Sequence, residues 1–142
     1  MMVGEFYFPD NLLYSRKHVW VKIENDEATI GLTSLGQSLA KGIVHVDLPL
    51  IGQNVKRNGT IASFETIKAV VKVASPLTGK IAEVNEVLRE KPEKINNDPY
   101  GEGWICKINP TKKDEFKKLL DVKKAARYFE KIIRKEKEKY GG

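Results

Sequence analysis

Glu65-Thr66-Ile67-Lys68-Ala69 is followed by Val70-Val71-Lys72-Val73-Ala74 and then by Ser75-Pro76-Leu77-Thr78-Gly79. From Thr60 to Ala74 the chain is rich in β-branched residues, which favour extended backbone. Local rules alone therefore draw one long strand with Glu65 and Lys68 in its middle. Ser75 to Gly79 closes it with a strong turn signal, because proline presets one dihedral and glycine tolerates positive φ. By composition Lys68 is one of 25 lysines and arginines, and by itself it reads as a solvated strand lysine.

On the N-terminal side, Phe6-Tyr7-Phe8-Pro9 with Asp10-Asn11 reads as a strand or arm ending in a turn, since proline lacks the donor a central strand needs. Val19, Val21 and Ile23 alternate with Trp20, Lys22 and Glu24. Asn25-Asp26 follows, then Ala28, Ile30 and Leu32, which makes a hairpin with one mainly apolar face. Trp20 falls on the other face and is expected to be covered by a further layer. Thr33 or Ser34 can cap a short helix that stops before Gly42. Ile43, Val44, Val46 and Leu48 form a strand halted by Pro49.

On the C-terminal side, Lys80 to Asn85 reads as a strand, Val87-Leu88 and Pro92 to Ile95 as single helical turns, and Asn96 to Gly103 as a polar loop. Trp104 to Ile108 closes the β region. Gly42 to Val46 faintly echoes Gly79 to Val84. After Pro110 the period changes. Thr111 with Asp114 resembles a capping box, and Phe116, Leu119 and Leu120 share helical spacing. Asp121 can cap a second helix whose apolar stripe is Val122, Ala125, Ala126, Phe129, Ile132 and Ile133. Lys135 to Gly142 has no apolar anchor before Tyr140 and is expected to fray. The spacing thus divides the chain into a β domain with an N-terminal arm, 1–110, and a basic helical segment packed on it, 111–142.

The chain has 142 residues and a net charge of +6. Residues 1–110 hold 13 basic and 13 acidic side chains, and residues 111–142 hold 12 and 6, so the excess belongs to the tail. The body shows no interleaving of basic and stacking aromatic residues, so nucleic acid is not an expected partner. No apolar run reaches membrane-spanning length and the start lacks a signal pattern, which points to a cytoplasmic protein without a membrane role. Cys106 is the only cysteine, so the chain forms no internal disulfide. The two histidines, His18 and His45, fall in no catalytic motif, and no phosphate loop or metal-spaced cluster occurs. A self-sufficient enzyme is therefore not expected, and a monomer is.

Tyr14 to Ile108 resembles the lipoyl-carrying H proteins of the glycine cleavage system. The family pattern Glu-Ser-Val-Lys-Ala, followed by a Pro-x-x-Gly turn and Glu-Val-Asn, is matched by Glu65-Thr66-Ile67-Lys68-Ala69, Pro76, Gly79 and Glu83-Val84-Asn85. Further matches are Tyr14 before His18-x-Trp20, Ala28 to Thr33, Val46-Asp47-Leu48-Pro49 and Asn97 to Trp104. The resemblance implies a mainly β fold, the flattened barrel-sandwich hybrid of biotinyl and lipoyl domains, with short helices and the C-terminal helical segment. It implies lipoate as covalent cofactor on Lys68, at a turn that Glu65, Thr66, Ile67 and Ala69 build. Methionines flank the lysine in biotinyl domains, whereas Ile67 and Ala69 stand here, so lipoate is preferred.

The implied role is a shuttle. Glycine decarboxylase loads an aminomethyl group, a tetrahydrofolate-dependent aminomethyltransferase unloads it, and dihydrolipoyl dehydrogenase reoxidises the dithiol. A lipoate ligase or lipoyl transferase attaches the cofactor. Two departures bear on the load. Lys17-His18-Val19-Trp20 stands where the family usually has Ser or Glu, His, Glu and Trp, and Lys72 stands where Asp is usual four residues past the lysine. If these residues line the cleft that shelters the arm, a cationic load loses two carboxylates and meets Lys17 and Lys72, each contact worth on the order of 1 kcal/mol. An anionic load would suit them, so a lipoate-bearing sulfur carrier partnering heterodisulfide-reductase-like sulfur-oxidation enzymes is the alternative. A binding module with Lys68 unmodified is the third reading.

Overall fold

The computed structural model describes the backbone of residues 1–140 and the side chains of residues 1–136. Among the described residues eleven strands run in order: β1 Met2–Val3, β2 Phe6–Tyr7, β3 Leu13–Tyr14, β4 Val19–Glu24, β5 Glu27–Leu32, β6 Ile43–Asp47, β7 Asn54–Val55, β8 Thr60–Thr66, β9 Val70–Ala74, β10 Gly79–Val84 and β11 Cys106–Pro110. The helices are α1 Ser34–Ser38, α2 Val87–Glu90, α3 Lys94–Asn97 and α4 Val122–Tyr140, with a 3-10 helix at Lys113–Lys118. The strands form a β1-β2 ribbon, a six-stranded sheet ordered β3-β4-β5-β11-β10-β7 and a three-stranded sheet ordered β6-β8-β9. Every pairing within these sheets is antiparallel. The architecture is mainly β with short helices and a C-terminal helix, as the resemblance implies, built from open sheets rather than a closed barrel. β6 and β10, which carry the internal echo, lie in different sheets.

The β4–β5 hairpin follows from its sequence. Asn25 and Asp26 take φ of 50° and 61°, the left-handed pair that a tight two-residue turn needs. Trp20 pairs with Gly31 across the ladder. A Cβ on Gly31 would stand 2.6 Å from the indole Nε1, so only glycine admits the ring there. Trp20 is 2% exposed and donates to the Pro99 carbonyl at 2.9 Å. The covering layer expected for it is therefore present.

Two apolar clusters hold the molecule. One fills the space among the large sheets, with Val19, Ile30, Phe64, Val73, Leu77, Ile81 and Ile108 among its members. The other joins the N-terminal arm to α4 through Phe8, Tyr14, Trp20, Leu35, Ala125, Phe129 and Ile133. Phe8 stacks on Phe129 with centroids 5.4 Å apart. Full burial of a phenylalanine contributes about 1.5–3 kcal/mol, so this contact fixes α4 to the body.

The region after Pro110 departs from its spacing. Phe116, Leu119 and Leu120 do not share one helix. The 3-10 helix ends at Lys118, Leu119 is extended, and Leu120 forms a β-bridge with Tyr14, with N–H···O distances of 2.8 and 2.7 Å. Pairing with the free edge of β3 satisfies those backbone groups and buries both leucines, so it prevails over helical continuation. Thr111 is not the cap; Lys112 precedes the turn and makes no side-chain capping bond. Asp121 does cap α4, accepting from Lys124 N at 2.8 Å. The closing strand starts at Cys106 rather than Trp104, because Gly101 to Trp104 forms a turn of its own. Where the spacing predicts fraying from Lys135 to Gly142, α4 continues as helix to Tyr140, and Gly141 and Gly142 lie outside the described residues.

Candidate functional site

β8 and β9 form a hairpin whose last rung pairs Glu65 with Val70. Its tip is built by one hydroxyl. Thr66 Oγ accepts the amide protons of Lys68 at 3.3 Å and Ala69 at 3.0 Å, and it donates to the Ala69 carbonyl at 3.1 Å. Thr66 N donates to the same carbonyl at 2.8 Å. A threonine hydroxyl imitating a backbone turn is an ST-turn. The turn thus spans Thr66 to Ala69 and needs no glycine, asparagine or proline, a signal that reading only those three residue types misses.

Lys68 projects from this tip, exposed together with Glu65, Ile67 and Ala69. It makes no ion pair among the described residues. Phe64 and Val73, both in the core, hold the strands from below. The displayed amine thus stands on a fixed base, as a tethered cofactor requires. Apolar side chains open to solvent accompany it: Ile67 at 85%, Val44 at 61% and Val70 at 59%. Val44 adjoins the Ile43–Thr66 pairing and Val70 faces Glu65 across the ladder. Together they fit an alkyl chain and a dithiolane ring better than a hydrated ion. Val44 and Val70 were not legible as part of the site, because alternation does not say which face of β6 and β9 is left uncovered.

Of the residues expected around the arm, Lys17 and Lys72 are exposed, His18 is half-buried and Val19 is closed off. Lys72 is exposed on β9 opposite Ser63, part-way along the hairpin. Lys17 is exposed in the turn between β3 and β4. Val19 has no exposure at all and lies in the core among the sheets, so it lines no open cleft. The reason is register: Val19 pairs with Leu32 on a strand whose first three residues are all covered. His18 has φ of 70° and its ring lies 5.4 Å from that of Phe129. Its Nδ1 is buried without a hydrogen-bond partner. Burial holds its pKa below the usual imidazole value, so it is neutral at pH 7.

Cys106 and His45 are the other candidates among the described residues. Cys106 is fully buried and its thiol is pushed up to about 12 by desolvation, which keeps it protonated and inert. His45 is exposed and contacts only Asp47 at 3.0 Å. No group of three potential metal ligands occurs among the described residues, and no helix among them is long and apolar enough to cross a membrane.

Comparison with known proteins agrees with this geometry. The family described as glycine cleavage H-protein matches residues 12–132. A glycine cleavage system H protein of Thermotoga maritima is 46% identical over 108 residues, which is 76% of this chain and 87% of the relative. One from Bacteroides thetaiotaomicron is 40% identical over 115 residues, 81% of this chain and 91% of the relative. The crystal structure of a glycine cleavage system H protein from Mycobacterium marinum superposes with a TM-score of 0.74 at 28% identity, covering 85% of this chain and 95% of that one. With the display hairpin, the sheet order and these matches in agreement, the chain belongs to the glycine cleavage H-protein family.

Proposed function

We propose that this chain is the lipoyl carrier of a glycine cleavage system, with lipoate in amide linkage to Nζ of Lys68. Membership of the family supports the carrier role, which is non-catalytic. The observation that carries the attachment point is Lys68 standing alone in solvent at the tip of a hairpin that Thr66 pins. Amide formation joins Nζ to the cofactor's carboxyl group and removes the lysine's positive charge, which lets the arm rest on Ile67, Val44 and Val70. Bound there, lipoate supplies a disulfide that accepts the aminomethyl group and a dithiol that is later reoxidised. The chain's own part is to keep the attachment point rigid and open while the arm moves. The partners are a lipoate ligase or lipoyl transferase, glycine decarboxylase, the aminomethyltransferase and dihydrolipoyl dehydrogenase.

Lys17 and Lys72 are both exposed, so water and salt weaken their repulsion of an aminomethyl load. Intact mass after co-expression with a lipoate ligase tests the attachment. The parent gains the mass of one lipoyl group and Lys68→Ala gains none. Equal labelling of both would move the site elsewhere.

A further inference from the structure

At the end of the β8–β9 hairpin away from Lys68, three segments far apart in sequence meet around a cavity of about 160 Å³. Arg16 and Lys17 reach it from the turn between β3 and β4, Arg57 from the turn before β8, and Lys118 from the end of the 3-10 helix. No aspartate or glutamate lines it. None of the four cations forms an ion pair among the described residues. Glu115, which borders the neighbouring cavity beside Arg57, already accepts from Thr78 N at 2.7 Å and Thr78 Oγ1 at 2.8 Å. The Arg16 guanidinium lies 5.7 Å from the centre of the Tyr128 ring, which steadies it.

The neutral lining adds a donor. Ser15 Oγ accepts from Lys17 N and Val19 N, each at 3.2 Å, so both bonds use its lone pairs and its own proton remains to be donated. Asn58 beside it takes φ of 71°, a conformation asparagine tolerates, and turns the chain so that Arg57 enters the cavity. Four like charges line one concavity with no carboxylate among them, and they repel each other. An occupant with two negative charges and several acceptor oxygens reverses that sign. Guanidinium groups favour it further, since their paired N–H donors match a tetrahedral oxyanion.

We propose that this cavity is a binding site for a phosphate group, free or as a small phosphomonoester. Its volume accommodates a phosphate with room for a small ester group, and Pro76 and Leu119 complete the lining with apolar surface. The site is distinct from the display tip. β8 covers Thr60–Thr66, so at about 3.3 Å per residue the two lie roughly 20 Å apart along the hairpin. Occupancy there therefore leaves Lys68 free, and the proposal stands or falls independently of lipoylation.

Amide NMR of the unmodified chain at pH 7.5 tests it, with inorganic phosphate and glycerol phosphate titrated separately against sodium chloride of matched ionic strength. The expected result is saturable shifts at Ser15 to Lys17, Arg57, Asn58 and Leu119, none at Ile67 to Ala69, and at least tenfold weaker binding in Arg57→Gln and in Lys118→Gln. Saturation by inorganic phosphate alone identifies the free ion as ligand, and tighter saturation by glycerol phosphate identifies the ester. Shifts that rise linearly and equally with chloride, or undiminished binding in both variants, would overturn the proposal. So would saturation by a tetraglutamate peptide but by neither phosphate, which would make the surface a protein-docking one. Amide spectra of the variants without ligand report their folding, and the exposed Lys118 serves if the half-buried Arg57 proves structural.

Discussion

Thr66 Oγ organises the display turn by accepting two amide protons and donating to the carbonyl that closes it. Thr66→Val keeps the β-branched shape and deletes only those bonds, each worth about 0.5–1.5 kcal/mol net. The variant should lose about 1.5 kcal/mol or more in urea unfolding and exchange its Ala69 amide faster, while Thr66→Ser retains the parent's protection. Unchanged exchange in Thr66→Val would show that the strands alone set the turn. His18 carries a different consequence. Because burial depresses its folded pKa, the unfolded chain binds more protons, so its contribution to stability is complete above the unfolded value of about 6.5 and is lost as pH falls through the folded one. The unfolding free energy of the parent should therefore fall more steeply between pH 7.5 and 5.5 than that of His18→Asn, a residue that also tolerates positive φ. Parallel pH curves would show that the imidazole is not desolvated. Val19 shows how register alters a reading: the family's glutamate placed there would put an unpaired carboxylate into a position with no exposure.

The elements divide the work between two apolar clusters. Asp121 caps α4, and its stripe of Ala125, Phe129 and Ile133 packs on Phe8 and Tyr14, so the helix's basic residues Lys123, Lys124 and Arg127 remain in solvent. The display hairpin draws its support from the other cluster, through Phe64 and Val73. Phe129→Ala should therefore cost about 3–5 kcal/mol of unfolding free energy and leave amide protection at Ile67 to Ala69, and lipoylation, close to the parent. Loss of labelling in a variant that is still folded would mean that α4 takes part in display. The helix was legible because its apolar positions repeat over three turns. The six residues before it were not, since the same leucine spacing is satisfied by pairing with the edge of β3, a partner more than a hundred residues away.

Over the whole molecule, what was legible followed from local chemistry and from motif spacing. The Asn25-Asp26 hairpin, the Thr33 cap, the Pro76-Gly79 turn and the helix after Asp121 are each specified within a few residues. The order of strands in the six-stranded sheet is not, because it depends on long-range pairings such as β11 with β5 and β10. Lys68 was singled out by the resemblance, and its exposure at a turn is what the geometry adds. The placement of the remaining candidates, Val19 in the core and Lys17 and Lys72 exposed, depends on which strand faces the interior covers. The charge follows the same division, with a balanced body and a basic segment after Pro110.

The most direct measurement is exchange of labelled bicarbonate into glycine by glycine decarboxylase, supplied with the fully lipoylated chain. Exchange should rise with the concentration of lipoylated parent and stay at background with Lys68→Ala or with the unlipoylated chain. Background exchange with the fully lipoylated parent, or equal exchange with Lys68→Ala, would contradict the account.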